Sequence, residues 1–146
     1  WKWTVDYMHA CGVHNLLYAY STDIFKSEQE YMLRYPGDEW VDIMGWDAYH
    51  RPQDWDFHEG MARMAKTVSS LAAEHGKLSA LTETGLESVY MEKWWTEYLL
   101  PAVRGYGLSW VLIWSKWTQR FCPTVIVTTA AAWGYFCSKI HAQSSI

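Results

Sequence analysis

The sequence predicts an α/β fold in which parallel strands alternate with helices. Four short apolar runs have the length of buried strands, and a segment with helical periodicity or helix-start and helix-stop signals lies between each pair. Strict alternation implies helical crossovers, which make the strands parallel and cover them with helices. Four strands fit either an open doubly wound sheet or half of a (β/α)8 barrel. No glycine-rich phosphate loop follows any strand, which removes the best argument for a nucleotide-binding sheet.

The four predicted strands are near-continuous apolar segments bounded by polar or turn residues. This pattern is typical of parallel strands that are buried on both faces. In chain order, the predicted strands span residues 15–20, 41–49, 78–84 and 108–114.

The predicted helices have start or stop signals, and one has a clear apolar face. Ser27 and Glu30 match a capping box, and Pro36-Gly37 stops the helix that follows. Gly76 ends the clearest helix, and Pro101 kinks or restarts another. The clearest helix carries apolar residues at 3.6-residue spacing: Phe57, Met61, Met64, Ala65, Val68, Leu71 and Ala72. The predicted helices span residues 1–10, 28–34, 57–75 and 94–103.

The composition excludes several classes of function. Charged residues make up 19% of the chain and the net charge is −4, so there is no electrostatic case for a nucleic-acid partner. No apolar stretch approaches the ~20 residues of a membrane span. The three cysteines and six histidines have no metal-ligand spacing, and we expect no metal and no cofactor. The 11 Trp and 10 Tyr residues can fill a core or stack on flat ligands such as sugar rings.

Polar and aromatic residues stand at the carboxyl ends of the predicted strands, where parallel α/β folds bind ligands. Glu83 follows an apolar strand and precedes a glycine turn at Gly85, so it is either an exposed strand-end carboxylate or a catalytic one. Asp47 and Tyr49 are two residues apart and therefore point to the same side of their strand. They either reach one site together, or Tyr49 fills the interior and Asp47 caps the next helix.

Five segments together resemble glycoside hydrolase family 26, the β-mannanases: NLLYAYS, YPGDEWVDIMGWDAYHR, ALTETGLE, KWWTEYLLPA and SWVLIW. The resemblance covers residues 1–114, and the strings RYPGDEWVDIMGWDAY and TETG are its most specific parts. It implies a (β/α)8 TIM barrel, of which this chain is the C-terminal half, about strands five to eight. On this basis we expect residues 1–116 to be a partial barrel and residues 117–146 a divergent tail of uncertain structure.

The resemblance also implies an activity and a site. Family 26 enzymes act as retaining endo-hydrolases on β-1,4-mannosidic bonds, so the implied substrate is a β-mannan or a manno-oligosaccharide. The family nucleophile carries over to Glu83, and the G-[FW]-D-x-Y motif carries over to Asp47 and Tyr49, of which the tyrosine is expected to hydrogen-bond the nucleophile. Trp114 matches a tryptophan that lines the sugar site, and Trp46, inside the same motif, is a further substrate-binding candidate. A secreted or cell-surface location is implied as well.

The sequence departs from the family in two places. The family's acid/base glutamate lies at the end of strand four, and nothing here corresponds to it, since Glu39, Glu59 and Glu87 fall in helices or loops. After Trp114 the family's arginine is replaced, and the loss of similarity suggests a frame shift or a truncated gene prediction. Two alternatives stay open: a non-catalytic carbohydrate-binding remnant, or a hydrolase of the same clan acting on another β-glycan.

Overall fold

A computed structural model of the chain describes residues 1–51, 56–86 and 91–114. Within these ranges, strands and helical segments alternate as predicted. The strands are β1 (Ala19–Thr22), β2 (Ile43–His50), β3 (Leu78–Leu86) and β4 (Val111–Ile113). The α-helices are α1 (Lys2–Ala10), α2 (Glu28–Met32), α3 (Phe57–Glu74) and α4 (Leu100–Val103). A 3-10 turn at Asp38–Trp40 precedes β2, and a π-helical segment at Trp94–Leu99 precedes α4.

The four strands form one parallel sheet in the order β1-β2-β3-β4. The spatial order therefore follows the chain order, without the reversal that creates the switch point of a doubly wound sheet. Sequential parallel neighbours are the arrangement of a (β/α)8 barrel wall. The predicted α/β class is confirmed, and the barrel alternative is favoured over the open sheet.

The strand boundaries differ from the predicted ones, most clearly at β1. The apolar run at residues 15–20 is not a strand over most of its length, and Leu17 is 69% exposed. Pairing begins only where Ala19 meets Ile43 of β2. A continuous apolar run has no period, so it cannot say where a strand pairs with its neighbour. β4 is likewise shorter than predicted, while β2 extends to His50 and β3 to Leu86.

The predicted capping box at α2 is present in a modified form. The Ser27 side chain accepts a hydrogen bond from the Glu30 backbone N–H at 3.2 Å, as predicted. The Glu30 carboxylate instead accepts from the Lys26 N–H at 2.8 Å, one residue before the cap. α2 ends at Met32, two residues earlier than predicted.

α3 packs its apolar face on one side of the sheet. All seven apolar residues predicted for this face are buried. They share a core with the helix-facing side chains of β2 and β3, including Met44, Trp46, Ala48 and Leu81. The predicted helix over residues 94–103 is divided into the π-helical segment and α4, with Pro101 in the first turn of α4. Proline has no backbone N–H, so it breaks the interior of a helix. It is tolerated in the first turn, where that N–H would have no partner within the helix.

Two buried tyrosines connect α2 to the sheet. The Tyr20 hydroxyl donates to the Tyr31 carbonyl, and the Tyr31 hydroxyl donates to the Gly45 carbonyl of β2 at 3.1 Å. Burial raises the pKa of Tyr31 far above its usual range, so its hydroxyl stays a donor.

No helix in the described ranges is long and apolar enough to cross a membrane. The predicted boundary at residue 116 and the predicted tail lie outside these ranges.

A polar cluster joins the segment before β2 to the end of α3. Asp38 Oδ1 accepts a hydrogen bond from the Tyr35 hydroxyl at 2.8 Å and lies 2.8 Å from His75 Nδ1. The Lys77 ammonium donates to the Asp38 carbonyl at 2.7 Å. The hydrogen bonds from Tyr35 and His75 lower the pKa of Asp38.

Replacing Asp38 with Asn should lower the melting temperature, and the loss should depend on pH. Because the folded state lowers the Asp38 pKa, the carboxylate stabilises the fold above the unfolded pKa of about 3.9. That contribution disappears as the pH falls through the lower folded value. Thermal unfolding of wild type and D38N between pH 2 and 7 should therefore show curves that converge at low pH. Glu74→Gln removes an exposed carboxylate nearby and should show little difference at any pH; a pH-independent D38N effect contradicts the assignment.

Candidate active site

The structure brings together four of the five predicted site residues at the carboxyl ends of the strands. Asp47 and Tyr49 lie on β2, Glu83 lies on β3, and Trp114 directly follows β4. The Tyr49 hydroxyl donates a hydrogen bond to Glu83 Oε2 at 2.7 Å. Asp47 and Glu83 are register partners on the two neighbouring strands.

A glycine allows β2, β3 and the end of β4 to approach closely beside Glu83. Gly85 is the register partner of Tyr49. A Cβ atom at Gly85 would lie 2.5 Å from the Trp114 carbonyl oxygen and 3.3 Å from Cε1 of Tyr49. Only a residue without a side chain fits this space, so Gly85 sets the position of the Tyr49 ring against Glu83.

A β-bulge in β3 sets the direction of Glu83. Trp46 pairs with Leu81, but the next residue of β2, Asp47, pairs with Glu83, so Thr82 is an extra residue in β3. Leu81 faces the helices and is fully buried. Strict alternation would turn Glu83 to that same face. The extra residue shifts the phase, so that Glu83 faces Tyr49 on the other side.

Asp47 lies in a polar network next to Glu83. Its Oδ1 accepts a hydrogen bond from the Ser21 hydroxyl at 2.9 Å, and Ser21 also contacts the Thr82 hydroxyl. Burial raises the pKa of the Asp47 carboxyl; the Thr82 and Ser21 hydroxyls offset part of the rise, and the charges of Glu83 and Asp23 add to it. The site therefore holds two adjacent carboxyl groups, of which Asp47 takes up a proton more readily than an ordinary aspartate.

The two predicted tryptophans lie in different environments. The Trp114 side chain is 50% exposed, and its backbone N–H donates to the Thr84 carbonyl at 2.8 Å, so it is fixed at the strand end with an accessible ring. Trp46 is fully buried in the core with the residues of α3. Adjacent residues of a strand point to opposite faces, so the exposure of Asp47 to the site places Trp46 against the helices. The structure thus places Trp46 on the helix side of the sheet, and its assignment as a substrate contact stays a prediction.

His50 supports the end of β2 from the helix side. Its ring stacks on Phe57 with centroids 4.3 Å apart, and Nδ1 accepts a hydrogen bond from the Trp94 indole N–H at 2.9 Å. The side chain is only 7% exposed, so it anchors the strand end from the helix side of the sheet. In the described ranges, no three His, Cys, Asp or Glu side chains are grouped to hold a metal ion.

The sequence alone did not identify Ser21, Thr82, Gly45 and Gly85 as parts of the site. The two glycines had a signal, since a glycine inside a strand often marks a bulge or a close approach of two backbones. The two hydroxyl residues stand at the ends of predicted strands, but the sequence did not predict their contacts, because their partners lie on other strands.

Gly85→Ala should destabilise the fold, whereas Gly60→Ala should stabilise it. Forcing a methyl against the Trp114 carbonyl and the Tyr49 ring should cost roughly 1–3 kcal/mol, as in other overpacked sites. A Cβ at Gly60 of α3 meets nothing within 4 Å, and alanine there should gain roughly 0.5–1 kcal/mol from helix propensity. Urea unfolding of the two variants gives the free energies. Equal effects of both substitutions would contradict the proposed close approach at Gly85.

Comparison with known proteins agrees with this architecture. The sequence model of Glycosyl hydrolase family 26 matches residues 1–116. A mannan endo-1,4-beta-mannosidase from Bifidobacterium adolescentis is 39% identical in an alignment of 92 residues that covers 58% of this chain and 9% of that protein. The structure of a family 26 β-mannanase from Bacteroides ovatus superposes with a TM-score of 0.76 at 36% identity, over 85% of this chain and 37% of the other.

A second family 26 structure, GH26C from a Muricauda species, superposes with a TM-score of 0.75 at 34% identity, over 92% of this chain and 39% of the other. The chain thus spans well under half the length of these relatives. The family match nevertheless covers most of the chain, and the four parallel strands correspond to part of the relatives' TIM barrel. The chain belongs to glycosyl hydrolase family 26.

Proposed function

We propose that this chain carries the nucleophile side of the active site of a retaining endo-hydrolase that cleaves β-1,4-mannosidic bonds in mannans. The observation that carries the proposal is the 2.7 Å hydrogen bond from the Tyr49 hydroxyl to Glu83, at the end of the sheet where barrel enzymes bind substrate. The substrate class is supported by relatives described as a mannan endo-1,4-beta-mannosidase and a β-mannanase.

Glu83 is the proposed nucleophile. A retaining glycosidase forms a covalent glycosyl-enzyme ester when a carboxylate attacks the anomeric carbon, and water then releases the sugar. The Tyr49 hydroxyl fixes the plane of the Glu83 carboxylate, since it donates to one of the two carboxylate oxygens. Because Oε2 accepts this hydrogen bond, we assign the attack to Oε1.

Asp47 and Trp114 are the proposed substrate contacts. Asp47 keeps a carboxyl oxygen beside Glu83, in position for a hydrogen bond with a hydroxyl of the reacting sugar. Trp114 presents half of its surface at the end of β4, where an indole face suits the apolar face of a pyranose ring. The size of a polysaccharide favours a secreted or cell-surface location for the enzyme.

The mechanism requires a second carboxyl group about 5–5.5 Å from the nucleophile. Glu39 and Glu59 do not fit, because they are exposed on the 3-10 turn before β2 and on the outer helix α3. Glu87 lies outside the described residues. We therefore propose that the acid/base group belongs to a barrel strand other than β1 to β4.

The 146-residue chain alone should release no measurable reducing sugar from galactomannan. General acid catalysis typically contributes ~10²–10⁴-fold, and neither Glu39 nor Glu59 lies where it could protonate the leaving oxygen. A reducing-sugar assay on the purified chain, with an intact family 26 mannanase as positive control, checks this expectation. A soluble monomer that hydrolyses galactomannan, with activity lost in Glu83→Gln, would show that the chain supplies its own acid.

Glu83 should be labelled by a mannosyl reagent that needs no acid catalyst. In 2,4-dinitrophenyl 2-deoxy-2-fluoro-β-mannoside, the dinitrophenolate leaves without protonation and the fluorine slows hydrolysis of the ester. Peptide mass spectrometry should find one fluoromannosyl group on Glu83, none in Glu83→Gln, and an unchanged adduct in Glu39→Gln. Tyr49→Phe should slow labelling, because the carboxylate loses its oriented hydrogen bond. An adduct on another residue would sink the assignment.

Two alternatives are distinguished by related measurements. The exposed Trp114 ring favours the first of them, a carbohydrate-binding remnant without catalysis. In that case, manno-oligosaccharides bind equally well to wild type and Glu83→Ala, and no adduct forms. For the other alternative, a hydrolase of a different β-glycan, the corresponding fluoroglucoside or fluoroxyloside labels Glu83 faster than the fluoromannoside does.

A further inference from the structure

We propose that Thr82 is a positioning residue that directs Glu83 into the site by holding the bulge of β3. The inference rests on the proposed function of Glu83. The Thr82 hydroxyl contacts the Trp46 carbonyl and the Ser21 hydroxyl, so its effect on Glu83 passes through the backbone of β3. Three features of the structure support it: the change of phase at the bulge, the bonds of the Thr82 hydroxyl, and the space left by Gly45.

The bulge changes the alternation of side chains along β3, and this change of phase decides which face of the sheet receives the Glu83 carboxylate. Before the bulge, Leu81 faces the core; after it, Thr84 is the buried residue, with no exposed surface. Thr82 and Glu83, which lie between Leu81 and Thr84, are both partly exposed. The Thr82 hydroxyl contacts Ser21 and the Glu83 carboxylate accepts a hydrogen bond from Tyr49, so both side chains lie on the site face. Without the extra residue, Glu83 would enter the apolar core beside Trp46 and Leu81, where an unpaired carboxylate is strongly disfavoured.

The Thr82 hydroxyl supplies a hydrogen bond where the bulge interrupts the ladder between β2 and β3. It donates a hydrogen bond to the Trp46 carbonyl at 2.8 Å, and Trp46 is the last residue of β2 before the register shifts. A bulge leaves the ladder locally interrupted, so a side-chain donor at this point replaces a backbone one. The same oxygen contacts Ser21 of β1, which in turn donates to Asp47. The Thr82 hydroxyl has a single proton, so it bonds β3 to β2 and lies in contact with Ser21 of β1.

Gly45 provides the space in which Thr82 sits. A Cβ atom at Gly45 would lie 2.6 Å from Cγ2 of Thr82 and 3.0 Å from its Oγ1. The threonine methyl thus lies directly against the Gly45 backbone, and it can do so only because this residue has no side chain. Gly45 leaves the space that the Thr82 side chain occupies, and the Thr82 hydroxyl bonds that side chain to the Trp46 carbonyl.

The first test compares two substitutions of nearly equal size in the full chain. Thr82→Val keeps the shape but removes the donor, whereas Thr82→Ser keeps the donor. We expect Thr82→Val to slow fluoromannosyl labelling of Glu83 by roughly 10²-fold, the order of effect of a ~1 Å misplacement of a reacting group. The maximal labelling rate should fall while the half-saturating reagent concentration stays unchanged. Thr82→Ser should label at close to the wild-type rate.

A second readout does not depend on reactivity. In wild type, the Tyr49 ring should show a nuclear Overhauser effect to the Gly85 α-protons, which reports the phase of β3. We expect this effect in Thr82→Ser and its loss in Thr82→Val, at a temperature where unfolding curves show all variants folded. An effect retained in Thr82→Val, together with an unchanged labelling rate, overturns the inference.

A double-mutant cycle covers the case in which Thr82→Val does not fold. Gly45→Ala should disturb the phase of β3 strongly in the threonine background and weakly in the Thr82→Ser background, because serine lacks the Cγ2 that the new methyl would strike. Equal effects in the two backgrounds overturn the inference. If wild type itself is not labelled, the proposed function fails, and the Overhauser effect alone decides the role of Thr82.

Discussion

The pairing of β2 with β3 is the constraint on which the rest of the site depends. These two strands carry Asp47, Tyr49 and Glu83, and their register fixes which side chains meet across the sheet. A regular parallel pair would bring the tyrosine and the glutamate to opposite faces. The bulge at Thr82 removes this conflict, so a single extra residue turns a buried strand into one that presents a carboxylate.

The two faces of the sheet differ in composition, since one packs against the helices and the other carries the site residues. On the helix side, Met44, Trp46 and Ala48 of β2 are packed with the apolar face of α3, and this layer contains much of the core. The other side carries small and polar residues, and Gly45 and Gly85 admit neighbouring atoms that any side chain would exclude. The site is therefore backed by the packing of the helix layer, and the hydrogen bonds of Thr82 and Tyr49 lie on the site face itself.

The electrostatics of the site follow from this arrangement. Asp47 and Glu83 are held next to each other by the register, and the half-buried position of Asp47 raises its pKa. Glu83 instead accepts a hydrogen bond from the Tyr49 hydroxyl at Oε2. The two carboxyl groups are thus distinguished by their surroundings, as is common where neighbouring acids have different roles.

The sequence by itself determined the α/β class, the parallel alternation, the buried face of α3 and the strand ends at which Asp47, Tyr49 and Glu83 stand. These features depend on local periodicity and on order along the chain, which a single sequence contains. Only the tertiary structure decided where β1 begins, that Trp46 faces the core, and that Ser21, Thr82, Gly45 and Gly85 belong to the site. Those outcomes depend on register and on one bulge, and register is a relation between strands distant in sequence, which apolar runs without a period do not encode.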